Sequence, residues 1–279
     1  MQSDERRSAG NQPRSLAGSE NALGDQRRAS PSETSVDAAH TPPQFFVTSE
    51  MVLGGQIVLT EDLFRHAMAK RLRPGEVFRA VLGQTGYEAK VISVKGDSLL
   101  ADIVGRQTLS APPVAVHLYA ALLKGQKFDL VVEKATELGV ASIHPVITSR
   151  TIPRLESEKA ASRKERWDKI AKAAAQQCGR PFVPEIAGVT SLDEALRGAV
   201  RGRRLLAHEH EVKGASLPEL LQGQSEVSVL IGPEGGLDSS EVESAMAAGF
   251  SPMSLGPYIL KAETASIAAV AILMRFLLL

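Results

Sequence analysis

Apolar positions are sparse over residues 1–42 and then arrive in two different rhythms. Apart from alanines, that first stretch carries only Met1, Leu16, Leu23 and Val36 among Ser, Gly, Pro, Arg and Glu. So little burial does not offset the entropy of ordering a chain, and residues 1–42 are expected to be a disordered tail. Order is expected from Gln44-Phe45-Phe46-Val47 onward. Up to about Ala111 the apolar runs are short and parted by turns at Gly83, Gly86 and Gly96-Asp97. Residues 56–59, 77–82, 87–94 and 98–104 read as strands, with a short helix over 61–70. Strands at this spacing predict a small β-barrel over residues 43–111.

Pro112-Pro113 marks a boundary, and the rhythm changes after it. Residues 114–122 read as a buried strand. Phe128, Val131, Val132, Ala135 and Leu138 follow helical spacing, and Gly139 ends that helix. A strand over 143–147 precedes a long helix over 157–178, with Trp167, Ile170, Ala171 and Ala174 on one face and Gly179 and Pro181 as stops. Residues 205–208, 227–231 and 253–255 supply further strands. This alternation predicts an α/β domain with a mostly parallel sheet over residues 112–279.

The 279 residues suffice for two domains, and 43% hydrophobic content suffices for their cores. Net charge is zero, so attraction to a polyanion must come from local patches. One such patch runs from Arg150 to Arg180, where nine basic residues face four acidic ones; Arg163 and Lys164 lie within it. A solvated helix surface explains such a run equally well. Cys178 stands alone, which excludes a disulfide framework and a cysteine-based zinc site and fits a reducing compartment. Residues 264–279, the most apolar stretch, are shorter than a spanning helix and contain Arg275. With no apolar core for a signal peptide near Met1, a cytoplasmic protein is expected.

The chemistry concentrates in two loops. Residues 227–231 run into Gly232-Pro233-Glu234-Gly235-Gly236, and a helix follows at Asp238 with Glu241 placed as in a capping box. Glycines at a strand-to-helix junction let backbone groups approach a ligand. The spacing is neither that of a phosphate-binding P-loop nor that of the dinucleotide fingerprint. Twenty residues on, Leu255-Gly256-Pro257-Tyr258-Ile259-Leu260-Lys261-Ala262-Glu263-Thr264-Ala265 leads into another helix, and its apolar members Leu255, Ile259 and Leu260 suit an adenine ring. Two such loops predict one shared pocket, which a side chain at Gly235 would fill. His208 and His210 with Glu209 and Glu211 match no metal motif, so no metal is expected. Lys134 and Glu137 read as a helix-surface pair, and Cys178 as a helix residue.

Taken together, these residues resemble the small-subunit (16S) ribosomal RNA uridine-N3 methyltransferases of the SPOUT superfamily. The resemblance rests on Lys124-Gly125, on residues 133–140 (Glu-Lys-Ala-Thr-Glu-Leu-Gly-Val), on Gln177 with Gly179-Arg180, and on Leu230-Ile231 with the Gly232–Gly236 turn. Leu255-Gly256, Ile259-Leu260 and Glu263-Thr264-Ala265 complete it. It spans roughly residues 44–279. It implies a PUA-like RNA-binding barrel, a trefoil-knotted domain that binds S-adenosyl-L-methionine, and a homodimer acting on the small ribosomal subunit. It assigns the cofactor pocket to Leu206, Ala207, His208, Ile231, Gly232, Pro233, Glu234, Gly235, Gly236, Leu255, Gly256, Ile259, Leu260 and Thr264. It makes the last helix knot core and dimer interface.

The chemistry implied needs an in-line uracil nitrogen that has lost its proton, so a cation near the uracil oxygens would help. Lys261 and Arg180 are the candidates, with Gln176 beside them. The chain departs from the family's usual residues at three places: Lys261 for Arg, Gln176 for Glu and Cys178 for Ser. A lysine keeps the charge without the bidentate fork, and Gln176 cannot act as a base. A catalytically silent RNA-binding homologue is therefore the alternative reading. A small-molecule enzyme using the same loops is a third, against which the barrel and the basic segment argue.

Overall fold

The structure, a computed structural model, describes residues 42–152, 157–198, 201–208 and 216–278. The expected tail up to Thr41 lies outside the described residues, as do Arg154, Glu209, His210 and Glu211.

The first sheet joins β1 (Gln44–Phe46), β2 (Val52–Leu53), β3 (Gln56–Leu59), β4 (Val77–Leu82), β5 (Thr85–Lys95) and β6 (Ser98–Thr108). The order is β1-β4-β5-β6-β3-β2, antiparallel except for β1 against β4. Alternation sends Ile57 and Leu59 of β3 inward, to meet Phe45, Phe78 and Leu99. Phe45 and Phe78 pack edge to face, 5.4 Å between centroids. Helix α1 (Glu61–Ala69) covers this core with Ala67. Register shifts in the β5–β6 pair bend the long hairpin. Among the described residues the ladder does not close between β1 and β2. Phe45 on one edge and Val52 on the other nevertheless pack on the same core, so side chains rather than hydrogen bonds bring the edges together.

The second sheet is wholly parallel. It contains β7 (Ala115–Ala121), β8 (Ser142–Ile147), β9 (Glu185–Ile186), β10 (Thr190–Ser191), β11 (Arg203–Ala207), β12 (Glu226–Ile231) and β13 (Ser251–Met253). The order is β10-β8-β7-β12-β11-β13, with β9 beside β10 on the same edge of β8. Val116, Leu118, Ile143, Leu205, Val227 and Val229 turn one face toward α2 (Lys127–Glu137), α3 (Ser157–Cys178) and α7 (Ala262–Leu277). There Phe128 of α2 meets Trp167 of α3, whose indole Nε1 donates to Asp129 Oδ1 at 3.0 Å. The other face presents Tyr119, Val146, Leu206 and Leu230 to α4 (Leu192–Arg197) and α6 (Ser239–Ala247). A short α5 (Leu217–Leu221) precedes β12. Both faces are covered, as parallel sheets require.

Several boundaries move from expectation. The last helix begins at Ala262 rather than Thr264, because the Ala265 amide already donates to the Lys261 carbonyl at 2.8 Å. The strand expected over 253–255 is Ser251–Met253, which leaves Leu255 in the loop. Gly139 takes φ +97° after α2, and a Cβ there would stand 3.0 Å from Met274 Cε, so this glycine lets α7 approach. Between the two sheets, Gln44 Nε2 of β1 donates to the Arg180 carbonyl just after α3, at 2.6 Å.

Candidate active site

A cavity of about 330 Å³ opens at the carboxyl ends of β11, β12 and β13, where α/β sheets hold their ligands. Each expected segment reaches it. Ala207 and His208 come from the end of β11, and Ile231 to Glu234 with Gly236 from the turn after β12. Leu255, Gly256, Ile259 and Leu260 come from the loop after β13. Three expected residues do not line it. Leu206 is fully buried on the α4–α6 face, and Thr264 lies exposed on the first turn of α7. Gly235 is off the lining, and a Cβ there would meet Arg150 Cβ and Cδ at 3.5 Å, an ordinary contact. Gly236 (φ +70°) and Gly256 (φ +133°) are the glycines of the lining whose backbone demands them, and beyond the adjoining residues nothing stands within 4 Å of a Cβ at either.

The Gly-Pro-Glu-Gly-Gly turn is pinned from two sides. Asp238 caps α6 in a full capping box with Glu241. Ser149, in the turn after β8, donates through Oγ to Asp238 Oδ2 at 2.7 Å and through its amide to Glu241 Oε1 at 2.6 Å. Hydrogen bonds from Ser149, the Glu241 amide and Ser240 draw the Asp238 carboxyl down to about 2. Arg150 Nη1 donates to the Gly235 carbonyl at 2.8 Å, and its side chain lines the cavity. On the other side, Lys127 at the start of α2 reaches Glu234 Oε1 at 3.0 Å and Glu263 Oε2 at 3.8 Å. Burial alone would raise the Glu234 carboxyl. Its bonds to its own amide, to Lys127 and to the Lys124 amide hold it below the ordinary value instead.

The three expected catalytic residues separate. Lys261 lines the cavity from the N-cap position of α7, with no side-chain cap bond. A lysine there forgoes the capping oxygen of Ser, Thr, Asp or Asn and sets a positive charge against the positive end of the helix. Rules of this kind are broken at functional positions. Arg180 instead donates to the carbonyls of Thr136, in the last turn of α2, and of Val140, just past it, and burial pulls its pKa down. Lys127 and Thr136 stand nine helical residues apart, about 14 Å, so Arg180 lies remote from Glu234 in one copy of the chain. Gln176, on the same end of α3, is also off the lining, and its Nε2 is buried with no hydrogen-bond partner. Among the described residues of the basic segment, only Arg150 enters the cavity. Nothing in its sequence neighbourhood marked it for that role, because its partner Gly235 lies 85 residues on. Tyr258 and Ile259 project from the rim, 82% and 81% exposed.

The remaining candidates behave as surface or helix residues. Lys134 bonds to Glu133 and Glu137 at 2.8 Å each, and Cys178 is an exposed free thiol beside the Ala175 carbonyl. Among the described residues no group of three metal-ligating side chains occurs, and no helix is long and apolar enough to cross a membrane.

Comparison with known proteins gives this cavity a context. The RNA methyltransferase domain family matches residues 110–274, more than half of the 279. Ribosomal RNA small subunit methyltransferase E of Bacillus subtilis is 33% identical over 199 residues, which cover 67% of this chain and 77% of that protein. Its counterpart from Aquifex aeolicus is 29% identical, over 82% of this chain and 98% of that one. Among solved structures, a putative methyltransferase from Legionella pneumophila in complex with the cofactor SAM superposes with a TM-score of 0.75 at 30% identity, covering 85% and 98% of the two chains. A ribosomal RNA small subunit methyltransferase E from Neisseria gonorrhoeae bound to S-adenosyl methionine gives 0.74 at 28%, covering 84% and 98%. From the extent of the domain match and the identity to the Bacillus subtilis enzyme, the chain belongs to the RNA methyltransferase domain family.

Proposed function

We propose that this protein transfers a methyl group from S-adenosyl-L-methionine to N3 of a uridine in small-subunit (16S) ribosomal RNA. The observation that carries the reading is the cavity itself: two loops at the carboxyl ends of a parallel sheet, with a lysine at its rim where helix chemistry disfavours one. The residues fit the cofactor. Ile231, Leu255, Ile259 and Leu260 offer an apolar slot for adenine, and Gly236 and Gly256 leave open space against the backbone. Glu234 supplies a carboxylate for a cationic tail. When bound, the cofactor supplies a methyl group already activated on a sulfonium.

The protein's own work is then to bind, orient and balance charge. The turn at Gly232–Gly236 and the loop at Leu255–Leu260 hold the donor, and the pinning of the turn by Ser149 and Lys127 fixes its position. Lys261 faces the target base and stabilises the negative charge that appears on the uracil oxygens when N3 loses its proton. The base enters unpaired or flipped from its stack. Lys261 keeps a cation at the rim, which favours an active enzyme over a silent RNA-binding homologue.

The first sheet serves as a PUA-like RNA-binding module, supported by its half-barrel form. The second domain carries the trefoil knot, supported by the two successive loops that build one cavity. The active unit is a homodimer in the cytoplasm; apolar surface at Leu130, Phe276 and Leu278, on and just past the packed helices α2 and α7, supports a second copy there. In such a dimer the end of α3, with Arg180 and Gln176, acts from the partner's side of the interface.

The deciding experiment supplies labelled S-adenosyl-L-methionine and small ribosomal subunits lacking the modification, then digests the RNA to nucleosides. Label in 3-methyluridine is expected. Cofactor binding without transfer would favour the silent homologue.

A further inference from the structure

Lys261 shares the cavity lining with a second cation. The carboxylate on the lining, Glu234, is matched by Lys127 at 3.0 Å. Two cations line the same cavity, Lys261 and Arg150. Among the described residues neither has a carboxylate within ion-pair distance. Arg150 arrives from the turn after β8, and its Nη1 is held by the Gly235 carbonyl at 2.8 Å. The Arg150 side chain packs along Gly235, which fixes its direction. One guanidinium nitrogen is thus spent on positioning, while the planar fork keeps further N–H donors. Asp238 feels this charge, but its own oxygens are taken by Ser149, Ser240 and the Glu241 amide. Arg180, the arginine expected from the resemblance, is held by the Thr136 and Val140 carbonyls at the far end of α2, away from this cavity in one copy of the chain.

We propose that Arg150 is a catalytic residue of the methyl transfer, its free guanidinium edge donating to a uracil oxygen and stabilising the anion left when N3 loses its proton. The inference rests on the N3-uridine reading above. The proton of N3 passes to water, leaving a charge shared by N3, O2 and O4. The N3 lone pair forms the new N–CH3 bond as the old S–CH3 bond breaks with its electrons left on sulfur. Anion and sulfonium become two neutral products. Lys261, a compact charge without a fork, takes one oxygen; Arg150 takes the other. Donors preset for a developing oxyanion are worth roughly 100- to 1,000-fold in turnover at enclosed sites. Arg150 is exposed at the rim, so the lower end of that range or below is expected.

The test compares wild type, Arg150→Ala and Arg150→Lys in single-turnover transfer to small subunits. These are assembled with either uridine or 5-fluorouridine, whose N3 is more acidic and needs less help. Arg150→Ala is expected to slow transfer 30- to 100-fold, with Arg150→Lys in between and the cofactor dissociation constant, measured by calorimetry without RNA, within threefold of wild type. The 5-fluorouridine substrate is expected to recover at least fivefold more rate in Arg150→Ala than in wild type. An equal response of both enzymes to the fluorine overturns the proposal, and so does a loss that follows weakened cofactor binding, since Arg150 would then only brace the turn. A raised KM for RNA with unchanged turnover and a shallower salt dependence would make it a phosphate contact, also against the proposal. Wild type that makes no 3-methyluridine would instead sink the underlying N3 reading.

Discussion

The two ends of the parallel sheet treat polar groups in opposite ways. At the amino end, Glu226, His117, Ser142 and His144 form a closed relay. His117 Nε2 donates to Glu226 at 3.0 Å, Ser142 Oγ lies 2.6 Å from His117 Nδ1, and His144 Nε2 lies 2.7 Å from the same oxygen. One tautomer of each neutral histidine satisfies every link. Tyr119 stacks on His144 at 4.3 Å. Ser228 donates to the Arg201 carbonyl, and Arg203 to Ser251. At the carboxyl end the glycine loops leave open space, and Arg150 and Lys261 point charge into it. Polar groups that meet each other stabilise a fold; polar groups aimed at a cavity wait for a ligand. One end is built for stability and the other for chemistry.

The strongest attack on this contrast substitutes glycines. Gly202, entering β11 at the amino end, has φ +64°, and a Cβ there would stand 1.9 Å from the Glu226 carbonyl oxygen. The strand must shift to admit it. Gly202→Ala is expected to cost on the order of 3 kcal/mol or more in urea unfolding. Gly236→Ala at the cavity has open space and incurs mainly the backbone cost of a positive φ, about 1–2 kcal/mol. Its cofactor affinity, by calorimetry, is expected to fall at least tenfold. Equal stability losses at both glycines would erase the distinction between the ends.

Ser142→Ala is the next test. It leaves His117 Nδ1 and His144 Nε2 unpaired in a buried place, a cost of about 1–3 kcal/mol. Methyl transfer at saturating substrate is expected to stay within twofold at a temperature where the variant is folded. A large loss of turnover with full stability would mean that the relay reaches the reaction.

Long, strongly patterned elements were legible in sequence, and contacts across the chain were not. The strands at Gln56–Leu59 and Val77–Leu82 and the helix at Ser157–Cys178 lie where periodicity and glycine stops put them. The capping box at Asp238 is present as its spacing implies. Short pieces such as β9, β10 and α4 carry too few residues for a period, although Ser191 and Glu194 cap α4 with a readable box. The cavity was legible because two contiguous loops build most of it. Arg150 was not, since it reads as one more charge in a basic run. Nor was the commitment of Arg180 to the Thr136 and Val140 carbonyls, which only folding brings near. The apolar last helix was read as starting at Thr264, because the polar residues before it hid a helix that begins at Ala262.

Acid separates the two ends by the pH at which each gives way. Burial first, then the nearby His117, hold His144 down to about 4, with Arg201 adding to the shift and Glu185 opposing it. A histidine depressed in the folded state takes up its proton more readily once unfolded. Stability from the neutral relay is therefore whole above about 6.5 and is lost as pH falls from there toward 4. After discounting for partial exposure, about 1–2 kcal/mol is at stake. Asp238 at the carboxyl end is depressed to about 2 by Ser149. For an acid the sign is that its contribution is present above the ordinary 3.8 and fades between 3.8 and 2. Urea titrations from pH 7 downward should thus show a first decline above pH 4 that His144→Gln removes and Ser149→Ala does not. If Ser149→Ala flattened that first decline instead, the cavity end would carry the acid-labile charge and the roles of the two ends would be reversed.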